Sequence, residues 1–207
     1  MNPYSKIHSK IQSIKPNKSG VKRAASILIP LIERNDELHI LFEKRALHLN
    51  SQPGEICFPG GKIESLERSC ETAIRETCEE LNLNEDEVTI IGQIDSILTS
   101  FDMIIHCYVG KVSRSFEDID FSKSEVDSIF TIPLSTLKSL EPQIYKIQSK
   151  MSLPDDFPFS SIPNGKDYNF KNSVYPVVFY HYNDYIIWGL TARMTQNFIA
   201  LLEDIDM

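Results

Sequence analysis

The chain has 207 residues, of which 42% are hydrophobic and 24% charged, and a formal net charge of -8. That length and mixture suit one soluble globular domain, so residues 1–20 are read as an N-terminal helix with its connector and 21–207 as one folded unit. The acid surplus argues against a nonspecific nucleic-acid binder, and no apolar run is long enough to span a bilayer or serve as a signal-peptide core, so a cytoplasmic protein with neither partner is expected.

Residues 3–14 place Ile7, Ile11 and Ile14 at helical spacing, which predicts a short helix packed on the domain. Residues 15–20, with Pro16 and Gly20, read as a connector. Strand-like runs at 24–32 and 37–42 flank the polar Glu33-Arg34-Asn35-Asp36, the pattern of a hairpin. The chain then leaves the second strand through Lys44 and Arg45 into a loop rich in Gly and Pro. Arg45 suits a phosphate clamp, and its competing reading is a solvated charge at a strand end. His48 reads as a surface residue. Pro59-Gly60-Gly61 forms a turn that brings backbone close to a ligand and offers the N–H groups of Gly60 and Gly61 to a phosphate chain.

From Cys70 onward, small or apolar residues fall at Cys70, Ala73, Ile74, Thr77, Cys78 and Leu81, the stripe of a helix with one buried face. Glu76, Glu79 and Glu80 are related by three and four residues, so their carboxylates project from neighbouring turns toward one point. Three carboxylates there repel unless a cation joins them. Oxygen-only ligands suit Mg²⁺, with Mn²⁺ as its substitute, and Mg²⁺ completes its shell with water and substrate phosphates. Arg75 can orient these acids without competing for metal, since guanidinium has no acceptor. The plainer reading is an acidic, solvated helix face. The four cysteines, Cys57, Cys70, Cys78 and Cys107, form no C-x-x-C pair and read as small core residues rather than zinc ligands or disulfides.

Runs at 88–98 and 103–112 predict two further strands around a turn at 99–102, followed by a polar stretch to Asp127. Residues 141–173, with four prolines and scattered aromatics, read as an irregular excursion whose rings either cover a ligand or anchor a surface loop. A last hairpin, 174–182 with 185–188 across Asn183-Asp184, leads through Gly189 into a terminal helix over 190–202.

Gly61, Glu67, Arg75-Glu76, Thr77, Glu79-Glu80 and Leu83 resemble the Nudix box, G-x5-E-x7-R-E-U-x-E-E-x-G-U with U aliphatic. Thr77 replaces an aliphatic residue and Asn82 the box glycine, a change the left-handed end of a helix tolerates. Arg45, Ala46, Gly54, Phe58, Pro59, Gly60 and Gly61 resemble the motif of the coenzyme A pyrophosphatase group, L-L-T-x-R-(S/A)-x3-R-x3-G-x3-F-P-G-G. Asn50 stands where that motif has its second Arg, and Phe42-Glu43 replace its Leu-Thr. Ile187-Trp188-Gly189-Leu190-Thr191-Ala192 is similar to the group's I-W-G-x-T-A segment. Glu125, before a strand ending in Pro133-Leu134, matches an extra family Glu.

The resemblance implies an α/β/α sandwich with a mixed sheet between helices. It also implies a Mg²⁺-dependent pyrophosphohydrolase with Glu76, Glu79 and Glu80 on the metal, and Glu80 and Glu125 competing as general base. Arg75 supports them, and Lys44, Arg45, Gly60 and Gly61 bind substrate. The preferred substrate is coenzyme A or an acyl derivative, cut to 3′,5′-ADP and 4′-phosphopantetheine. Alternatives are an ADP-ribose or NADH-type pyrophosphatase and a nucleotide sensor without turnover. A monomer or a homodimer serves either activity.

Overall fold

The computed structural model describes residues 3–13, 20–99 and 102–204. Strands β1 (Arg23–Arg34) and β2 (Glu37–Arg45) form the expected hairpin. Its two turn residues, Asn35 and Asp36, both adopt left-handed backbone (φ 54° and 60°), the conformation that matches the twist of two-residue hairpins. Strands β3 (Ile56–Cys57) and β4 (Gly60–Lys62) follow, then helix α2 (Ser69–Leu81), strands β5 (Val88–Leu98), β6 (Met103–Val112) and β7 (Val126–Pro133), and helix α3 (Leu134–Ser139). Together the strands form one seven-stranded mixed sheet. β1 runs parallel to β6 along one edge, and its other edge is shared, with Leu31–Arg34 paired to β2 and Ala25–Ile27 paired to β4. β2 pairs antiparallel with β7 and, through Glu43↔Cys57 and Lys44↔Ile56, with β3.

The apolar run of β1 is buried on both faces, and alternation along the strand explains how. Leu28 and Ile32 turn toward α2, where they join Leu41, Ala73 and Leu81. Ile29 and Leu31 turn the other way, to Ile40, Phe42, Leu134, Leu137, Ala192 and Phe198 beneath α3 and the last helix, α4 (Gly189–Ala200). The sheet therefore lies between helices, as expected. Leu41 faces α2 while Phe42 does not, so Glu43 also faces α2 and Lys44 faces away.

Two expectations need correction. Residues 143–149 are not irregular: Gln143–Ser149 is strand β8, paired with β9 (Ser173–Tyr182), which pairs in turn with β10 (Tyr185–Trp188) in a second, three-stranded sheet. Every residue of β8 is exposed, so no burial pattern marks it, and only pairing with β9 defines it. Between the strands, Phe157, Phe159, Tyr168 and Phe170 pack edge-on against one another and anchor their own loop. The N-terminal helix α1 (Pro3–Gln12) forms, but Ile7 and Ile11 are 60% and 59% exposed rather than packed on the domain. Two isoleucines make too narrow a stripe to hold a polar helix down. Ile14 and most of the connector lie outside the described residues, as do two residues of the 99–102 turn. Among the described residues, no helix is long and apolar enough to cross a membrane, and all four cysteines are free thiols.

Candidate active site

Helix α2 ends where the sequence places its end. Asn82 has φ 47°, ψ 43°, and its N–H donates to the Cys78 carbonyl, so the amide residue does the work of the box glycine. The buried positions of α2 are Thr72, Ala73, Thr77, Glu80 and Leu81. Thr77 fits a buried helix position because its hydroxyl donates to the Ala73 carbonyl at 2.7 Å.

Glu80 points inward and is 3% exposed, which a solvated acidic helix face does not allow for this residue. Its Oε2 accepts the Gly60 N–H at 2.8 Å. That N–H is therefore engaged and does not face a phosphate, a correction to the reading of Gly60 as a substrate donor. Beside Glu80 lies Glu43, 1% exposed, near enough for each carboxyl group to act on the other. Burial, then the charge of Glu80, raise the Glu43 pKa well above the carboxylate range. Burial raises that of Glu80 as well, against the opposing pull of the Gly60 N–H. The Cys57 thiol contacts Glu43 Oε1 at 3.8 Å, whereas Glu43 Oε2 has no hydrogen-bond partner.

Glu76 is held in place from two sides. A Cβ built on Gly61 would lie 2.3 Å from the Glu76 carboxyl carbon, so only glycine leaves room for that carboxylate. From the other side Arg75 Nη2 donates to Glu76 Oε1 at 2.8 Å. The same guanidinium bonds Glu67 through Nε (2.9 Å) and Nη2 (3.3 Å) and Glu79 through Nη1 (3.1 Å). Arg75 thus ties three box acids together, as its lack of acceptors allows. Its hydrogen bonds hold the Glu67 carboxyl down to about 2. Burial is the main cause of the raised Glu76 pKa, with Glu79 and Glu125 adding to it.

The loop carrying Glu125 is fastened from both flanks. Ser122 N–H donates to the Glu80 carbonyl and Ala46 N–H to the Glu125 carbonyl, both at 2.8 Å. His48, read as plain surface, has its Nε2 3.1 Å from the Ser124 carbonyl, and so helps fasten this loop. The Glu125 charge acts on both Glu76 and Glu80.

The charges of Glu76 and Glu125 thus both act on Glu80, while Glu79 stands at the exposed edge with Arg75. The cation pair is split across the sheet. The charge of Arg45 acts on Glu43 and Cys57, whereas Lys44 faces away and pairs with Asp127 at 3.4 Å. Sequence reasoning missed Glu43. Its signal was a lone acid in a strand, on the same face as Leu41 and followed by two cations.

Among the described residues, no three His, Cys, Asp or Glu side chains already close around a common point. The donor set nevertheless fits a hard divalent cation. It is all oxygen, several acids are crowded at raised proton affinity, and a buried carboxylate oxygen lacks any partner.

A NUDIX domain model matches residues 22–152. The chain belongs to the Nudix hydrolase family. It is accordingly an enzyme of the Nudix pyrophosphohydrolase type, and the family generally requires a divalent cation. Nudix hydrolase 3 of Caenorhabditis elegans is 34% identical over 190 residues, covering 89% of this chain and 75% of that protein. The peroxisomal coenzyme A diphosphatase NUDT7 of Mus musculus is 32% identical over 58% of this chain and 50% of its own. The peroxisomal coenzyme A diphosphatase ndx-8 of C. elegans is 38% identical over 58% and 53%. The matched region thus spans about half the length of either diphosphatase. A MutT/nudix family protein from Enterococcus faecalis superposes with a TM-score of 0.50 at 12% identity, over 96% of this chain and 67% of that one, and speaks for the fold alone.

Proposed function

We propose that this Nudix hydrolase cleaves coenzyme A or an acyl derivative into 3′,5′-ADP and 4′-phosphopantetheine, with Mg²⁺ as its ion and Mn²⁺ able to substitute. The observation that carries the reading is the junction of two motifs. The 45–61 stretch that resembles the coenzyme A group runs directly into the acid cluster, with Gly60 bonded to Glu80 and Gly61 making room for Glu76.

When bound, Mg²⁺ supplies charge neutralisation of the diphosphate and a water of lowered pKa. Glu76, Glu79 and Glu80 are its proposed ligands, with Arg75 positioning them. Water oxygen forms a new bond to phosphorus as the anhydride P–O bond breaks. A carboxylate takes the water proton, and the leaving phosphate is released as an anion. Glu80 and Glu125 are the two candidates for that carboxylate. Glu80 has the raised proton affinity that a base near neutral pH needs, and Glu125 has the more open position. Arg45, beside Glu43, meets a substrate phosphate.

Asn50 favours a second reading. It is exposed and uncharged where the motif carries an Arg, which weakens the case for coenzyme A over ADP-ribose or NADH. Chromatography of the nucleotides from each substrate with Mg²⁺ decides between them. We expect 3′,5′-ADP from coenzyme A with little product from the others. Cleavage of ADP-ribose or NADH alone would overturn the coenzyme A assignment and leave the reaction class standing.

A further inference from the structure

Glu43 is an acid that neither motif calls for. The motif of the coenzyme A group has Thr at this position of β2, so the carboxylate is a feature of this chain. Strand alternation turns it toward α2, because Leu41, its neighbour on the same face, packs with Ala73 and Leu81. There it is buried beside Glu80, and little neutralises the two acids. Glu80 Oε2 accepts the Gly60 N–H, and Glu43 Oε1 has only the weak Cys57 thiol at 3.8 Å. Glu43 Oε2 is the only buried side-chain nitrogen or oxygen among the described residues without a hydrogen-bond partner. Neither acid takes part in any ion pair among those residues. Arg45, whose charge reaches Glu43, directs its Nε to the Ser51 carbonyl at 3.3 Å instead.

A buried carboxylate is hydrogen-bonded, paired with a charge, or bound to a metal. The first two are missing at Glu43 Oε2. We infer that Glu43 is a further ligand of the divalent cation, binding it through Oε2 alongside Glu80. This rests on the proposed cation site and deepens it, since the helix then supplies ligands from one side and β2 from the other. Two carboxylates leave places on Mg²⁺ for water and substrate phosphate, the shell this ion prefers. The cation also relieves the repulsion between two acids buried together, which a shared proton would otherwise have to do. The two explanations part at an amide. Gln has the shape of a protonated Glu and can donate to Glu80, but it brings the cation no charge.

The full chain, freed of metal, is titrated with Mn²⁺ by calorimetry, and the water on the bound ion is read from water-proton relaxation. Native protein is compared with Glu43→Gln and with Glu43→Thr, which puts back the motif residue, each shown to be folded by its unfolding transition. The Mn²⁺ Kd should rise about tenfold or more in both variants, at least the cost of losing a residue that only orients a ligand. Relaxation per bound ion should increase as water replaces the missing carboxylate oxygen. Without metal, both variants should unfold at or above the native midpoint, because the unpaired buried carboxylate does nothing to hold the fold. With saturating Mn²⁺ the native midpoint should rise more than theirs. A Kd in Glu43→Gln within about twofold of native would overturn the inference in favour of the shared proton. A raised Kd with unchanged relaxation per ion would also overturn it, since Glu43 would then act by charge alone. Native protein that binds no Mn²⁺ would remove the cation site itself, and this inference with it. Binding is read without turnover, so failure to cleave coenzyme A would remove the proposed substrate and leave the role of Glu43 decided by these measurements.

Discussion

Gly61→Ala isolates the contact that positions Glu76. The added methyl group would lie 2.3 Å from the Glu76 carboxyl carbon. Ordinary carbon contact begins near 3.5 Å, so the carboxylate must retreat by roughly 1.2 Å or more. Gly61 does not have a left-handed φ, so alanine fits the backbone and the strain falls on the Glu76 side chain alone. Retreat disrupts the Arg75–Glu76 ion pair, a part-exposed contact whose loss costs about 1 kcal/mol or less. A misplacement of about 1 Å at a reacting centre can cost about a hundredfold in rate. We therefore expect kcat to fall about a hundredfold, while the midpoint of thermal unfolding shifts by less than about 4 °C. Steady-state turnover with Mg²⁺ and thermal unfolding, run together, check both halves. Gly92→Ala, where an added Cβ meets nothing within 4 Å, is the control. Turnover of Gly61→Ala within about threefold of native would show that Glu76 placement does not limit the reaction.

Glu80→Gln keeps the shape of the side chain but removes its charge and its capacity as a base. It should lower kcat by about 10² to 10⁴ with little loss of thermal stability, and near-normal turnover would remove Glu80 from the mechanism. Stability should also carry an acid signature from Glu67. Its folded pKa is depressed to about 2 from an ordinary 4.5, so its contribution is complete above 4.5 and is lost as pH falls toward 2. Native protein and Glu67→Gln should therefore differ in unfolding midpoint at pH 6 and converge near pH 2; a difference independent of pH would contradict this. At the end of α2, Asn82→Ala should cost about 1 kcal/mol, or about 2–4 °C, because its φ is positive, while Asn82→Gly should be near neutral. Equal losses in both variants would show that the cap is held by something other than backbone conformation.

The sequence was most informative where local chemistry and local geometry coincide. The spacing of Arg75, Glu76, Glu79 and Glu80 on α2, the Asn35-Asp36 turn and the left-handed Asn82 all depend on neighbours within a few residues. What could not be read are features made by distant segments. Glu43 comes next to Glu80 only because α2 packs on the face of the sheet to which Glu43 points from β2, and a lone acid in a strand gives no hint of its partner. Gly60 bonds Glu80 twenty residues away. β8 escaped because both its faces are exposed, which leaves no alternation to read. Lys44 and Arg45 look like one cation pair in the sequence, yet strand alternation sends them to opposite sides of the sheet.

The central claim is that the acid cluster holds a divalent cation. Isothermal titration of the metal-free protein with Mn²⁺ tests it directly, comparing native protein with Glu76→Gln and Glu80→Gln, each shown to be folded by its unfolding transition. At least one site is expected in the native protein, with affinity lost or reduced tenfold or more in each variant. Equal binding by all three proteins would place the cation elsewhere and contradict the account.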